Sequence, residues 1–298
     1  MTVVCRLLDG SNHYERTVTG WVDVRPEGLL RLSARLSDHR AGVDVSLDVT
    51  PSPGFDVVRA EGAWRPPGPV GQLEDLPDRL SRLAGLRLVP GFRRRVVDVL
   101  GPDAPWASYV ADAIIEAARL SRQVTQLEPR HLPADPTPLD FRRIDLMAWP
   151  EFADMCFTYS AASNSRFEDP GVRVPATLDM YVPRPGTRLA FHRYKRAEIA
   201  RADDILTLYQ SMFDQVHGFE LWYDLNIKTH RILRTRALTP RLPYMGICDQ
   251  PQGRNQTLVG ITLDERWPAT LRGATGGPLG CFQLTDLTGD LFRLLSFE

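Results

Sequence analysis

The residues best equipped for chemistry in this chain gather late in it. The stretch GATGGPLGCFQLTDL, residues 273–287, runs through glycines and Pro278 into Cys281. A glycine-rich turn that opens a helix there would aim unpaired N–H groups at the thiol and lower its pKa. Glycine also lets a ligand approach the backbone closely. No Gly-Lys-Ser/Thr follows, so this is not a phosphate-binding loop. Upstream stand Asp214, His217 and Tyr223. The imidazole and the phenol, on the same strand parity, can act as acid and base on a bound carbonyl, and an inward carboxylate such as Asp214 can be a general base. His217, Cys248 and Cys281 have the chemistry of zinc ligands, but their spacing is wide and no C-x-x-C pair occurs among the four cysteines. The expectation is therefore no bound metal and no cofactor.

Alternation of apolar residues predicts the strands that must carry these groups. Leu206, Leu208, Gln210, Met212 and Asp214 share one face, and Phe219, Leu221, Tyr223, Leu225 and Ile227 share another. In the first half, LLRLSARL, VDVSLDV and FDVVRAEGAW do the same, with the turn PSPG between the last two. Helical spacing marks LEDLPDRLSRLAG and PWASYVADAIIEAARLSRQV. Strands followed by helices, twice over, predict an α+β fold rather than alternating βαβ units.

The two halves also match each other. At a shift of 176, Arg25 meets Arg201, Leu30 meets Leu206, Asp38 meets Asp214 and Gly42 meets Gly218. At a shift of 175, Leu83 meets Leu258, Gly85 meets Gly260, Leu88 meets Leu263 and Gly101 meets Gly276. One single-residue slip across so many positions points to two diverged copies of one unit. The expected layout is a first copy at 1–125, a proline-rich linker at 126–140 and a second copy at 141–298 that starts with extra material. Each copy would be an antiparallel sheet followed by helices, and the two would pack as a pseudo-dimer. The reactive groups belong to the second copy alone: Cys248 faces Leu73, Cys281 faces Trp106, Gln283 faces Ser108 and His217 faces Ala41.

Composition excludes several function classes. With 36 Lys and Arg against 37 Asp and Glu, the formal charge is −1, so nothing favours nucleic acid or an anionic membrane. Lys195 and Lys228 are the only lysines, and this arginine bias reads as a GC-rich bacterial gene. No stretch approaches the length of a membrane span, and no secretory leader is legible, so the expected location is the cytoplasm, with reduced thiols.

The second half, with LPYMGICDQ, then LVGITL, then GGPLGCFQLTDL, resembles the C-terminal part of a bacterial family of unknown function, DUF2889. The first half, with ERTVTGWVDVRPEGLLRLSARLSDHR, resembles the N-terminal half of its tandem members. By that resemblance Cys248 and Cys281 stand at the family's two motif cysteines, and Leu284 and Asp286 fit the positions after the second. Where the family reads Thr-His, this chain reads Phe282-Gln283, which makes Gln283 the hydrogen-bonding substitute. The resemblance carries no activity with it.

Two functions are expected. One is a cofactor-independent cyclase, isomerase or lyase acting on a small, largely apolar acyl or polyketide-like metabolite. Its catalytic candidates are His217, Tyr223, Asp214, Cys281 and Gln283, and its substrate-binding candidates are Trp222, Tyr244, Cys248, Trp267 and Asp286. The pocket is expected between the two copies. The other is a non-catalytic small-molecule-binding or accessory protein. Homo-oligomerisation is left open by the sequence.

Overall fold

The computed structural model describes residues 3–4, 6–8, 10–51, 54–65, 75–104, 106–124, 133–174 and 178–297. Cys5 and residues 126–132 of the expected linker lie outside the described residues.

The protein is α+β. In chain order, β1 (Val3–Val4), β2 (His13–Val24), β3 (Leu30–Asp38), β4 (Gly42–Val49) and β5 (Val57–Arg65) precede α1 (Leu76–Ser81), α2 (Phe92–Leu100) and α3 (Ala107–Arg119). Next come α4 (Pro138–Ala148), several 3₁₀ turns and α5 (Leu178–Tyr181). A second run follows: β6 (Phe191–Ala202), β7 (Ile205–Asp214), β8 (Gly218–Asn226), β9 (Ile232–Arg241), α6 (Trp267–Thr275), α7 (Phe282–Phe292) and β10 (Ser296–Phe297). The long strands form an eight-stranded antiparallel sheet in the order β5-β4-β3-β2-β6-β7-β8-β9, and β1 pairs with β10.

The chain divides into two compact units, neither of them one continuous stretch. The smaller is Arg16–Leu132 with Thr177–Tyr194, and the larger is Met1–Glu15, Pro133–Ala176 and Lys195–Glu298.

In the smaller unit, period-two alternation puts one side of each strand inside. Val22 pairs with Leu32, Leu32 with Leu47 and Leu47 with Ala60, and all four are buried. Helix α1 packs on β5, and α3 packs on β3 and β4. The other side of these strands carries an ion-pair ladder, in which Asp44 accepts from Arg35 at 2.9 Å and from Arg65 at 3.0 Å.

In the larger unit, Leu208, Met212, Phe219, Leu221, Tyr223 and Leu225 meet Leu271, Leu284, Leu287, Leu291 and Phe292 in one core. Removing such side chains from water supplies roughly 1.5–3 kcal/mol each, which is what presses α6 and α7 to the strands. Cys248, Cys281 and Trp267 sit at the edge of that core.

A matching clasp ties the last strand of each run to the chain before the next helix. Gly85 N–H donates to Val57 O at 2.8 Å and Leu88 N–H to Phe55 O at 3.1 Å. At positions 175 higher, Gly260 N–H donates to Ile232 O at 2.7 Å and Leu263 N–H to His230 O at 2.8 Å. Phe55 and His230 both adopt positive φ, 47° and 57°, and Gly85 and Gly260 both sit at 84°. The ladders slip between Asp48 and Val49, and again between Asp224 and Leu225.

Strands β2 and β6 were not legible in the sequence. In β6 the inward positions hold Phe191, Arg193, Lys195, Ala197 and Ile199, so two buried cations break the apolar alternation. Lys195 is neutralised by Asp290 of α7, 2.5 Å away.

Candidate functional site

Strand β7 ends at Asp214 and β8 begins at Gly218, so the chain must reverse in between. Asp214 does the turning. Its Oδ1 accepts from Val216 N–H at 2.9 Å and from His217 N–H at 2.6 Å, and its own N–H donates to His217 O at 2.9 Å. His217 Nδ1 lies 3.1 Å from both carboxylate oxygens. At positions 176 lower, Asp38 Oδ1 accepts from Arg40 N–H at 2.8 Å and from Ala41 N–H at 3.0 Å. The same turn therefore forms with alanine in place of histidine. The carboxylate makes the corner, and the imidazole is an addition to it.

Tyr223 is not part of that pair. It lies six residues along β8 from His217, about 20 Å of extended chain. Its ring is fully buried, and its hydroxyl lies 2.9 Å from Asn255 Oδ1 and 2.7 Å from Thr288 Oγ1. Thr288 donates its one hydrogen to Leu284 O at 2.7 Å. With the Asn255 amide placed as above, Tyr223 would have to donate twice and Asn255 Nδ2 lacks a partner. Exchanging the amide's O and N resolves both: Asn255 donates to Tyr223, Tyr223 to Thr288 and Thr288 to Leu284 O. The chain of donors ends on a helix carbonyl and holds α7 to the sheet. Burial pushes the phenol's pKa well above its ordinary value.

The aromatic candidates are dispersed. Trp222 projects from the opposite sheet face to Tyr223, against Tyr209 at 5.2 Å, with Arg236 stacked 4.9 Å from its ring centre. Trp267 opens α6 and packs edge-on against Phe292 at 5.9 Å. Tyr244 belongs to a different neighbourhood.

That neighbourhood holds the thiols. The turn before α7 closes through Gly280 N–H to Gly277 O and Cys281 N–H to Thr275 O, both 2.8 Å. Gly277 takes positive φ, 70°. A side chain at Gly280 would put its Cβ 2.1 Å from Thr275 O, so only glycine fits there. The helix starts at Phe282 with Cys281 as its N-cap, and Leu284 N–H points at Cys281 Sγ from 3.4 Å. Phe157 N–H donates to Gly280 O at 2.8 Å, which brings Cys156 to the same helix start. Thr158 Oγ1 lies 2.9 Å from Cys248 Sγ, and Gln252 donates to Cys248 O at 2.8 Å. Three of the four cysteines thus come together: Cys281 acts on Cys156, and both act on Cys248.

The expected activation of Cys281 is overturned. Amide N–H groups of Gln283 and Leu284 do favour its thiolate, but burial outweighs them and raises its pKa. Burial likewise pushes Cys156 up to about 11, and raises Cys248 further. All three are neutral thiols at pH 7. Each stays partly accessible. Gln283 and Asp286 stand half-buried, one turn apart on α7.

Sequence reasoning missed Asp145 and Tyr159. Helix α4 starts with a capping box between Thr137 and Asp140 and buries Phe141, Ile144 and Asp145. Asp145 Oδ2 accepts from Tyr159 at 2.8 Å and from Tyr244 at 2.5 Å. The available signal was a carboxylate on the apolar stripe, at positions i, i+3 and i+4. Arg142 fastens the intervening loop by donating to Thr158 O at 2.9 Å and Ser160 O at 3.1 Å.

Among the described residues, His13, Glu15 and Glu198 bring ligand atoms within 4.8 Å of one another. Arg196 pairs with Glu15 at 2.9 Å and with Glu198 at 3.0 Å, so the group is an exposed ion-pair network.

Residues 201–295 match the family model of DUF2889, described as a protein of unknown function. This DUF2889 segment contains Asp214, His217, Tyr223, Cys248 and Cys281, whereas Asp145, Cys156 and Tyr159 precede it. No curated protein and no solved structure matches the chain. Among the described residues no helix is long and apolar enough to cross a membrane.

Proposed function

We propose that this chain is a small-molecule-binding or accessory protein made of two diverged copies of one unit, with its site in the second copy. The duplication is supported by the paired clasps, the paired ladder slips and the paired Asp38 and Asp214 turns. Helix bounds support it too: α2 and α6 begin at Phe92 and Trp267, and α3 and α7 at Ala107 and Phe282, both 175 apart. The site is assigned to the place where residues 156–159 meet the 244–252 loop and the start of α7.

One observation carries the binding reading over the catalytic one. Each proton-transfer candidate is tied into the fold: Asp214 and His217 to their turn, Tyr223 to its donor chain and Cys281 to the cap of α7. A general acid or base must instead have its proton within reach of a substrate. The replacement of the family's Thr-His pair by Phe282-Gln283 favours the same reading.

The rival is a cofactor-independent cyclase, isomerase or lyase acting on an apolar acyl or polyketide-like metabolite. The concentration of reactive groups in one copy favours it, because a purely structural duplication needs no such asymmetry. The two separate in one experiment. The purified protein is incubated with a panel of such metabolites, and mass spectrometry scores compounds retained and compounds converted. Retention without conversion is expected. Conversion abolished by Cys281→Ala or His217→Ala, with folding intact, would establish the enzyme instead.

A further inference from the structure

We propose, resting on the binding reading above, that Arg142 anchors the ligand of the same site through one carboxylate, received by the end of its guanidinium. The ligand class is an apolar acid: an apolar body that carries a single carboxylate.

A guanidinium has five N–H donors in a fixed plane. Two of those of Arg142 lie along one edge and are engaged, Nε–H by Thr158 O at 2.9 Å and Nη2–H by Ser160 O at 3.1 Å. The group rests over Phe167, with Cζ 5.1 Å from the ring centre. Three N–H groups remain, two on Nη1 and one on Nη2. Nη1 makes no hydrogen bond among the described residues, and it is open to solvent. The Nη1–Nη2 end therefore presents two parallel N–H groups, the fork that matches the two oxygens of a carboxylate.

The charge is unanswered as well. Arg143, the next residue, pairs with Asp140. Asp145, one turn along α4, accepts from Tyr159 and Tyr244. Arg142 itself makes no ion pair among the described residues, and its engaged edge meets only neutral carbonyls. A half-buried cation gains most from a partner that brings opposite charge and two hydrogen bonds together. The carbonyls and the ring already fix the guanidinium, so a ligand has little side-chain freedom to freeze on arrival. A phosphate dianion would need a second cation, and the ionisable group one turn on is the acid Asp145.

Arg142 belongs to the assigned site. Thr158, whose carbonyl holds Nε, has its hydroxyl 2.9 Å from Cys248 Sγ, and Phe167 packs edge-on against Tyr244 at 5.5 Å. Phe157 N–H donates to Gly280 O at 2.8 Å. Leu279 and Phe282, on either side of Gly280 and Cys281, are 60% and 43% exposed, which gives apolar surface for the body of the ligand. Arg142 precedes the family segment at 201–295, so no family motif could have pointed to it.

The test is calorimetric titration of the full chain with decanoate and with methyl decanoate, which share the apolar chain and differ in charge. Decanoate is expected to bind about tenfold or more tightly than the ester, in keeping with hydrogen bonds to a charged group. Arg142→Gln should remove that preference by weakening decanoate and leaving the ester unchanged, whereas Arg143→Gln should alter neither. The acid–ester comparison on the unaltered chain needs no variant to fold. Equal binding of acid and ester, unchanged decanoate affinity in Arg142→Gln, parallel loss of both affinities in that variant, or displacement of decanoate by equimolar inorganic phosphate would each overturn the inference. Binding of neither probe would also sink it, and the metabolite panel above would then decide the binding reading on its own.

Discussion

Tyr244 and Asp145, 99 residues apart in the chain, are joined by a 2.5 Å hydrogen bond from the phenol to Oδ2. Tyr159 donates to the same oxygen. The arrangement fixes α4 to the loop that carries Cys248. Tyr244→Phe removes a donor from a buried carboxylate, at an expected cost of about 1–3 kcal/mol. Urea unfolding measures it. An unchanged midpoint would mean that the clamp contributes nothing to stability.

The Asp214 turn separates carboxylate from imidazole. Asp214→Asn keeps an oxygen for the Val216 and His217 amides, so it should cost about 1 kcal/mol less than Asp214→Ala. His217→Ala should be the mildest of the three, since Ala41 already occupies the matching place beside Asp38. A larger loss from His217→Ala than from Asp214→Ala in thermal unfolding would assign the corner to the ring.

Gly85 and Gly260 should respond alike. Both take φ near 84°, where a side chain costs about 1–2 kcal/mol. Gly85→Ala and Gly260→Ala are each expected to lose that amount, and the double variant to lose the sum, because the sites share no partner. Clearly unequal losses in paired denaturant curves would weaken the duplication.

Asp44 predicts an acid limit. Burial works to raise its pKa, but hydrogen bonds from Arg35 and Arg65 outweigh that and hold it below the ordinary 3.8. A carboxyl whose folded pKa is depressed stabilises the protein above its unfolded pKa, and that contribution disappears as pH falls through the folded value. Stability attributable to Asp44 should therefore be constant above about pH 5 and decline below 3.8. Asp44→Asn should unfold at lower stability near neutrality yet show a shallower acid decline. Parallel acid melts of the two proteins decide it.

What the residues disclosed in advance was local. Strands β3, β4, β5, β7, β8 and β9 follow from alternation, because a pleated strand sends successive side chains to opposite faces. The helix at Phe282 follows from the glycine-rich turn before it. Asp38 and Asp214 revealed themselves as fold residues by recurring at matched positions. β6 escaped because Arg193 and Lys195 fill inward positions, and Asp290, far along the chain, pairs with the lysine there.

The sequence by itself determined the class of fold, the strand faces, the internal likeness of the halves and the turn that presents Cys281. These depend on periods of two or 3.6 residues and on backbone freedom at single glycines, all of which act over short stretches of chain. Only the tertiary structure decided which chemistry-bearing groups meet. It put Trp222 and Tyr223 on opposite faces, buried the phenol in a closed donor chain and surrounded Cys281 until burial outweighed the helix amides. It also drew Cys156 and Asp145 from outside the family segment to Cys248 and Tyr244. No period links such positions, because their meeting depends on how separate loops close over one core, a relation fixed by packing in three dimensions.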